Sequence, residues 1–256
     1  MMQATGFVLL ISCRGLDGVE RTFFLFFSGT AMFMNANPPH LIVPAVPDWW
    51  SVTPLEQLDW SAISALPPLQ LFDASGPALQ QTSVRISQNQ QALFVRFDCQ
   101  DSDIWGTFKD RDDPIYDQEV VEVFLSPGEA TPVDYYEFEV SPNGVLLDVS
   151  VHNPTGDREQ MQFDFGWNCE GIRWTAVRDD SNNYWWAGLA IPWTSVCRNP
   201  GRETTWRANF YRIERPRHSP PEYSCWSPTM TVPADFHRPI HFGSLDIKAP
   251  YHDPNW

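Results

Sequence analysis

Short apolar runs, each broken within a few residues by proline, glycine or acid, constrain this chain more than any other feature. TSVRIS, ALFVRFDCQ, VVEVFLSPG, YYEFEVSPNG, VLLDVSV, IRWTAVRDD, NNYWWAGLAIPW, TWRANFYRIER and FGSLDI follow one another at strand-like spacing. Proline fixes φ and removes a backbone donor, so the 23 prolines spread along the chain leave little room for long helices. QNQQ between the first two runs reads as a hairpin connection, and PNG at 142–144 as a tight turn. The expected fold is an all-β antiparallel β-sandwich of immunoglobulin or jelly-roll kind, with about nine or more strands. One short helix is expected at PWTSVC, opened by Pro192. The sandwich is expected over residues 48–249 as one domain, after a Pro-rich extended lead-in at 35–47 and before a tail at 250–256.

The first 34 residues stand apart. TFFLFFSGTAMFM has the length of a signal-peptide apolar region and is too short to span a bilayer. Either it belongs to a signal peptide whose start codon is placed too early, or translation starts at Met32 or Met34. The first reading makes the protein secreted or periplasmic, the second cytoplasmic. Segment 1–34 is therefore treated as lying outside the domain. The net charge of -15 argues against a nucleic-acid partner, which needs clustered lysine and arginine. It suits a cation or a neutral polyhydroxylated ligand. The five cysteines are widely spaced and form no zinc pattern.

Side chains alternate along a strand, which makes the charges informative. In VVEVFL, Val121, Val123 and Leu125 share one face, and Val120, Glu122 and Phe124 the other. In YYEFEV, Tyr136, Phe138 and Val140 oppose Tyr135, Glu137 and Glu139. In WRANFYRIER, Arg207, Asn209, Tyr211 and Ile213 oppose Trp206, Ala208, Phe210, Arg212 and Glu214. Arg96, Glu122, Glu137, Glu139, Asn209 and Arg212 are the candidates for a polar groove on a sandwich face that takes sugar hydroxyls, which need acceptors and donors side by side. The alternative is a solvated strand exterior with cross-strand pairs. Glu122 sits in an otherwise apolar run, so it needs Arg96, Arg212, a cation or a ligand beside it. Glu137 and Glu139 have Cα atoms about 6.5–7 Å apart on one face, a separation that also occurs between glycosidase carboxylates. A glycoside hydrolase is therefore a second reading. The acidic loops DCQDSD and RDDPIYDQE, with Asp101, Asp103, Asp112, Asp113 and Asp117, offer oxygen ligands for calcium without an EF-hand spacing.

These runs in this order, closed by WSPT and DFHRPIHFGSLDI, resemble family 9 carbohydrate-binding modules and the family 9-like proteins of the wider DOMON group. The resemblance covers residues 48–247. It implies a β-sandwich that recognises a saccharide without catalysis, with bound calcium in several relatives, in polysaccharide use alone or beside an associated glycoside hydrolase. It also implies two tryptophan rings holding a terminal sugar. Of the twelve tryptophans, Trp105 and Trp226 lie near strand ends and are the candidates, whereas Trp174, Trp185, Trp186 and Trp206 sit inside strands as packing. DOMON relatives also suggest a haem-binding electron-transfer alternative. Met161, Met230, His237 and His241 are available to it, but no spacing marks them.

Overall fold

The computed structural model describes residues 37–197 and 204–247, together with the backbone of 7–14 and 20–27. In chain order the strands are β1 (Phe7–Arg14), β2 (Glu20–Phe27), β3 (His40–Val43), β4 (Gln70–Leu71), β5 (Thr82–Gln88), β6 (Ala92–Gln100), β7 (Val120–Pro127) and β8 (Asp134–Val140). They continue as β9 (Leu146–His152), β10 (Gln162–Asp164), β11 (Arg173–Asp179), β12 (Tyr184–Pro192), β13 (Thr205–Glu214), β14 (Glu222–Cys225) and β15 (Gly243–Ile247). β1 and β2 pair antiparallel within a separate unit, residues 1–37. The side chains of the expected leader at 1–34 and the whole tail at 250–256 lie outside the described residues.

The remaining strands form two sheets. Nine belong to one, in the order β10-β9-β8-β7-β13-β14-β4, with β15 also on β13 and β3 parallel to β15. Four form the other, in the order β11-β12-β6-β5. The expected β-sandwich is present, and both turn readings hold. β5 and β6 pair with Gln88 opposite Leu93, and Gly144 takes φ +78, a left-handed conformation suited to glycine, at the turn into β9. The short helix is α1 (Trp193–Val196), with Pro192 one place earlier than expected, as its N-cap. The Pro-rich lead-in is more than a tether: His40–Val43 joins the large sheet and buries Val43, so the sandwich unit begins near Pro38.

Alternation decides what each sheet buries. Between the sheets, Val121, Val123, Leu125, Phe138 and Phe210 of the large sheet meet Val84, Val95, Phe97, Leu189 and Ile191 of the small one. The outer face of the small sheet is capped by Trp50, Leu55 and Trp60 over Phe94 and Ala190. The outer face of the large sheet carries Val120, Phe124, Tyr135, Leu147, Val149 and Tyr211, and the chain between β14 and β15 lays Phe236 and Phe242 over it. This face is buried, so the solvated strand exterior does not describe the glutamates, whereas Arg96 with Arg85 and Asp98 forms the charge pairs of a half-exposed exterior on the small sheet.

Close packing is tightest where Trp226 folds inward over β15. A Cβ at Gly243 would overlap the Trp226 ring and stand 2.8 Å from the Pro39 carbonyl oxygen. Gly243→Ala is expected to destabilise the fold by about 1–3 kcal/mol through overpacking. A urea midpoint within error of wild type would show that Trp226 has room to move.

Candidate functional site

On the outer face of the large sheet, two adjacent strands place three glutamates together. Glu122 of β7 stands opposite Glu139 of β8, and Glu137 follows two residues away on the same face, opposite Phe124. One carboxylate oxygen from each lies within 4.8 Å of the others. All three residues are at least 95% buried. They line a cavity of about 360 Å³. Leu147, Val149 and Ile213 of the neighbouring strands complete the floor. Tyr116 and Asp117 enter from the turn before β7, and Phe163 and Phe165 from the β10 edge. Tyr223 comes from β14, and Phe236 and His237 from the covering β14–β15 connection.

The electrostatics follow from burial. Removal from water raises Glu122 and Glu139 well above the ordinary carboxylate range, and the neighbouring carboxylates raise them further. Burial lifts Glu137 to about 7, while a hydrogen bond with Glu139 and the charge of Arg158 pull the other way. One oxygen of Glu137 and one of Glu139 are buried without a hydrogen-bond partner. Arg158 is mostly exposed and bonds Asp235 at 2.9 Å. Half-buried Arg215 places its guanidinium 5.5 Å from the centre of the Tyr223 ring. Both arginines line the pocket, but among the described residues no ion pair joins a cation to the three glutamates. His237 is buried and held neutral, its pKa lowered to about 3 by burial and by Arg158, and its Nδ1 lies 2.9 Å from the Tyr135 hydroxyl. It is a satisfied packing histidine, which gives no purchase to the haem alternative.

The other sequence candidates fall elsewhere. Arg96 stands on the outer face of the small sheet, bonded to Asp98 at 2.8 Å and stacked on Trp186. Arg212 points between the sheets to Asp101 and Glu214. Neither arginine reaches Glu122: Arg96 lies on the outer face of the other sheet, and Arg212 points inward where Glu122 points outward. Asn209 is buried on the same side of the large sheet as the glutamates, but ties down Ser227 through two backbone bonds and does not line the cavity. Trp226 packs on Phe210 in the inter-sheet core. Trp105 donates its indole N–H to the Arg215 carbonyl at 2.5 Å. The two tryptophans are thus not brought together, and the aromatic wall of the pocket is built from phenylalanine and tyrosine instead. Phe163 and Phe165 stack on each other at 5.6 Å and remain 38% and 45% exposed at its mouth. Their alternation in QFDF, with Asp164 between, was the available signal.

The five aspartates expected to hold calcium also separate. Asp101 accepts from Trp185 and Arg212, and Asp103 pairs with Arg217. Asp112 accepts from the Asp148 amide, Asp113 from the amides of Lys109 and Asp110, and Asp117 lines the pocket. Among the described residues, only Asp101 belongs to a three-carboxylate cluster, with Glu119 and Glu214, and Arg212 already supplies its positive charge. That set does not fit a calcium cage.

Known proteins share this architecture. Residues 52–247 match the sequence model of the family described as Carbohydrate-binding family 9. An Arthroderma benhamiae protein described as an extracellular protein is 28% identical over 176 residues, 65% of this chain and 79% of its own length. A Bacteroides uniformis crystal structure superposes with TM-score 0.64 at 19% identity, covering 82% of this chain and 100% of that one. A family 9 carbohydrate-binding module from Caldicellulosiruptor kristjanssonii, in complex with cellotriose, superposes with TM-score 0.57 at 12% identity, covering 84% of this chain and 96% of that one.

Proposed function

The chain belongs to carbohydrate-binding family 9, and from that premise we propose that its outer-face pocket recognises a saccharide without transforming it. The observation that carries this reading is the pairing of buried carboxylate acceptors with half-exposed phenylalanine and tyrosine rings around one cavity. Carboxylates take hydrogen bonds from sugar hydroxyls, and flat apolar rings lie against the C–H face of a pyranose. The cavity volume lies within the range of small-molecule sites. The Caldicellulosiruptor kristjanssonii module has been crystallised with cellotriose and with glucose, which supports a saccharide of this kind here. Hydrolysis needs two carboxyls flanking a glycosidic bond, whereas Glu122, Glu137 and Glu139 stand side by side on one sheet face. The module serves polysaccharide use, alone or beside a separate hydrolase.

Calorimetric titration with glucose and short gluco-oligosaccharides is expected to show saturable binding. Phe165→Ala is expected to weaken it by about 0.5–1.5 kcal/mol, the worth of one ring contact. Silence across a broad glycan panel sinks the reading, and release of reducing sugar by the purified protein replaces it with a hydrolase.

A further inference from the structure

The pocket holds more acceptor capacity than a neutral sugar can satisfy. Once ionised these carboxyls only accept, and three of them converge here; Arg158 and Arg215 line the same pocket, but no ion pair joins either to them. Glu137 and Glu139 both line the cavity, and each carries one buried oxygen without a hydrogen-bond partner. Leaving buried acceptors unmet is costly. A sugar hydroxyl donates one proton and carries no charge. A primary ammonium donates three and offsets the mutual repulsion of the carboxylates, through charge-assisted bonds. We infer that the site selects saccharides bearing a free primary amine, the ammonium seated on Glu122, Glu137 and Glu139 and the ring against Phe163, Phe165 and Tyr223.

The inference rests on the saccharide reading and narrows it to amino sugars. The aromatic wall favours an organic cation over a bare metal ion, since rings attract an ammonium over their faces and contribute nothing to a metal's oxygen shell. A divalent ion would want six to eight oxygens, which three carboxylates meet only if every one is bidentate. Arg158 and Arg215 oppose a cation, but the first is turned to solvent and Asp235 and the second lies over Tyr223.

The test compares glucosamine, glucose and N-acetylglucosamine, and short oligomers of each, by calorimetry near neutral pH with chelator present. Glucosamine is expected to bind about tenfold or more tighter than glucose, and N-acetylation to abolish the gain. Glu139→Gln and Glu137→Gln are expected to lower amine affinity by a larger factor than neutral-sugar affinity. Phe165→Ala is expected to weaken both ligands alike, so the ratio of ligands reads the carboxylates and not the fold. Glucose binding as tightly as glucosamine overturns the inference and leaves the saccharide reading standing. Failure of every sugar overturns both. Calcium binding to the sugar-free protein, lost in Glu139→Gln, assigns the cluster to a metal and overturns the amine.

Discussion

Arg212→Ala is expected to remove about 3–5 kcal/mol of stability, enough to unfold much of a domain of ordinary stability. Among the described residues Arg212 is the largest charged side chain that is fully buried, and its head sits between the sheets. It bonds Asp101 at 3.0 Å, Glu214, the Gln100 carbonyl at 2.6 Å and Thr82 at 3.3 Å. Asp101, Glu214 and Glu119 have oxygens within 4.8 Å of one another. Burial and the neighbouring acids already push Glu119 up to about 9, and burial pushes Glu214 up to about 7 against the pull of Arg212. Alanine would leave these carboxylates facing each other with no cation and a void beside Trp185. Pairing Arg212→Met with Asp101→Asn and Glu214→Gln is expected to restore much of the loss, because the penalty arises from uncompensated charge. Urea unfolding followed by near-ultraviolet dichroism checks both. A loss below about 1 kcal/mol for the alanine variant would place the stability elsewhere.

Strand alternation carried most of what could be read from the sequence. It grouped Glu122 with Phe124, and Glu137 with Glu139, on faces that the structure confirms. It could not say which face of a strand looks between the sheets. Arg212 and Glu122 lie on paired strands, yet Arg212 points inward and Glu122 outward, so the partnership that seemed available between them does not exist. The cover over the outer face was also hidden. It comes from the β14–β15 connection, a Pro-rich stretch without periodicity that reaches back more than eighty residues to bond Asn153. Without that cover the glutamates read as half-solvated; with it they are buried and their acidity changes. Trp226 misled for a related reason. It directly follows a strand, where loops often begin, but the absence of a side chain at Gly243 lets it turn into the core.

The ligand-free protein is expected to be more stable at about pH 5 than at about pH 8, an inverse of ordinary carboxylate behaviour. Glu122, Glu137 and Glu139 all have folded pKa values above their ordinary 4.5, with Glu137 at about 7. A carboxyl raised in the fold is protonated in both states below 4.5 and contributes no penalty there. As pH rises past that value the unfolded chain ionises while the folded one resists, so stability is lost up to the folded pKa. For Glu137 alone the loss amounts to about 3 kcal/mol. Glu214 and Glu119 add to it over the same range and beyond, their folded values being about 7 and about 9. The lower limit is set by groups of opposite sign. Asp103, Asp179 and Asp180 are held below 3.8 by Arg217, by Asn182 and Ser181, and by Arg178 respectively, and what they contribute is lost as pH falls through their folded values. Other charged groups facing the pocket are Asp117, Arg158 and Arg215; His237 stays neutral throughout this window. Glu137→Gln is expected to raise the melting temperature at about pH 8 and change it little at about pH 5. A saccharide amine that pairs with the cluster is expected to flatten the same profile, because it stabilises the ionised carboxylates. Melting curves that rise steadily from about pH 5 to about pH 8 in the free protein would show that water or a cation already compensates the three glutamates.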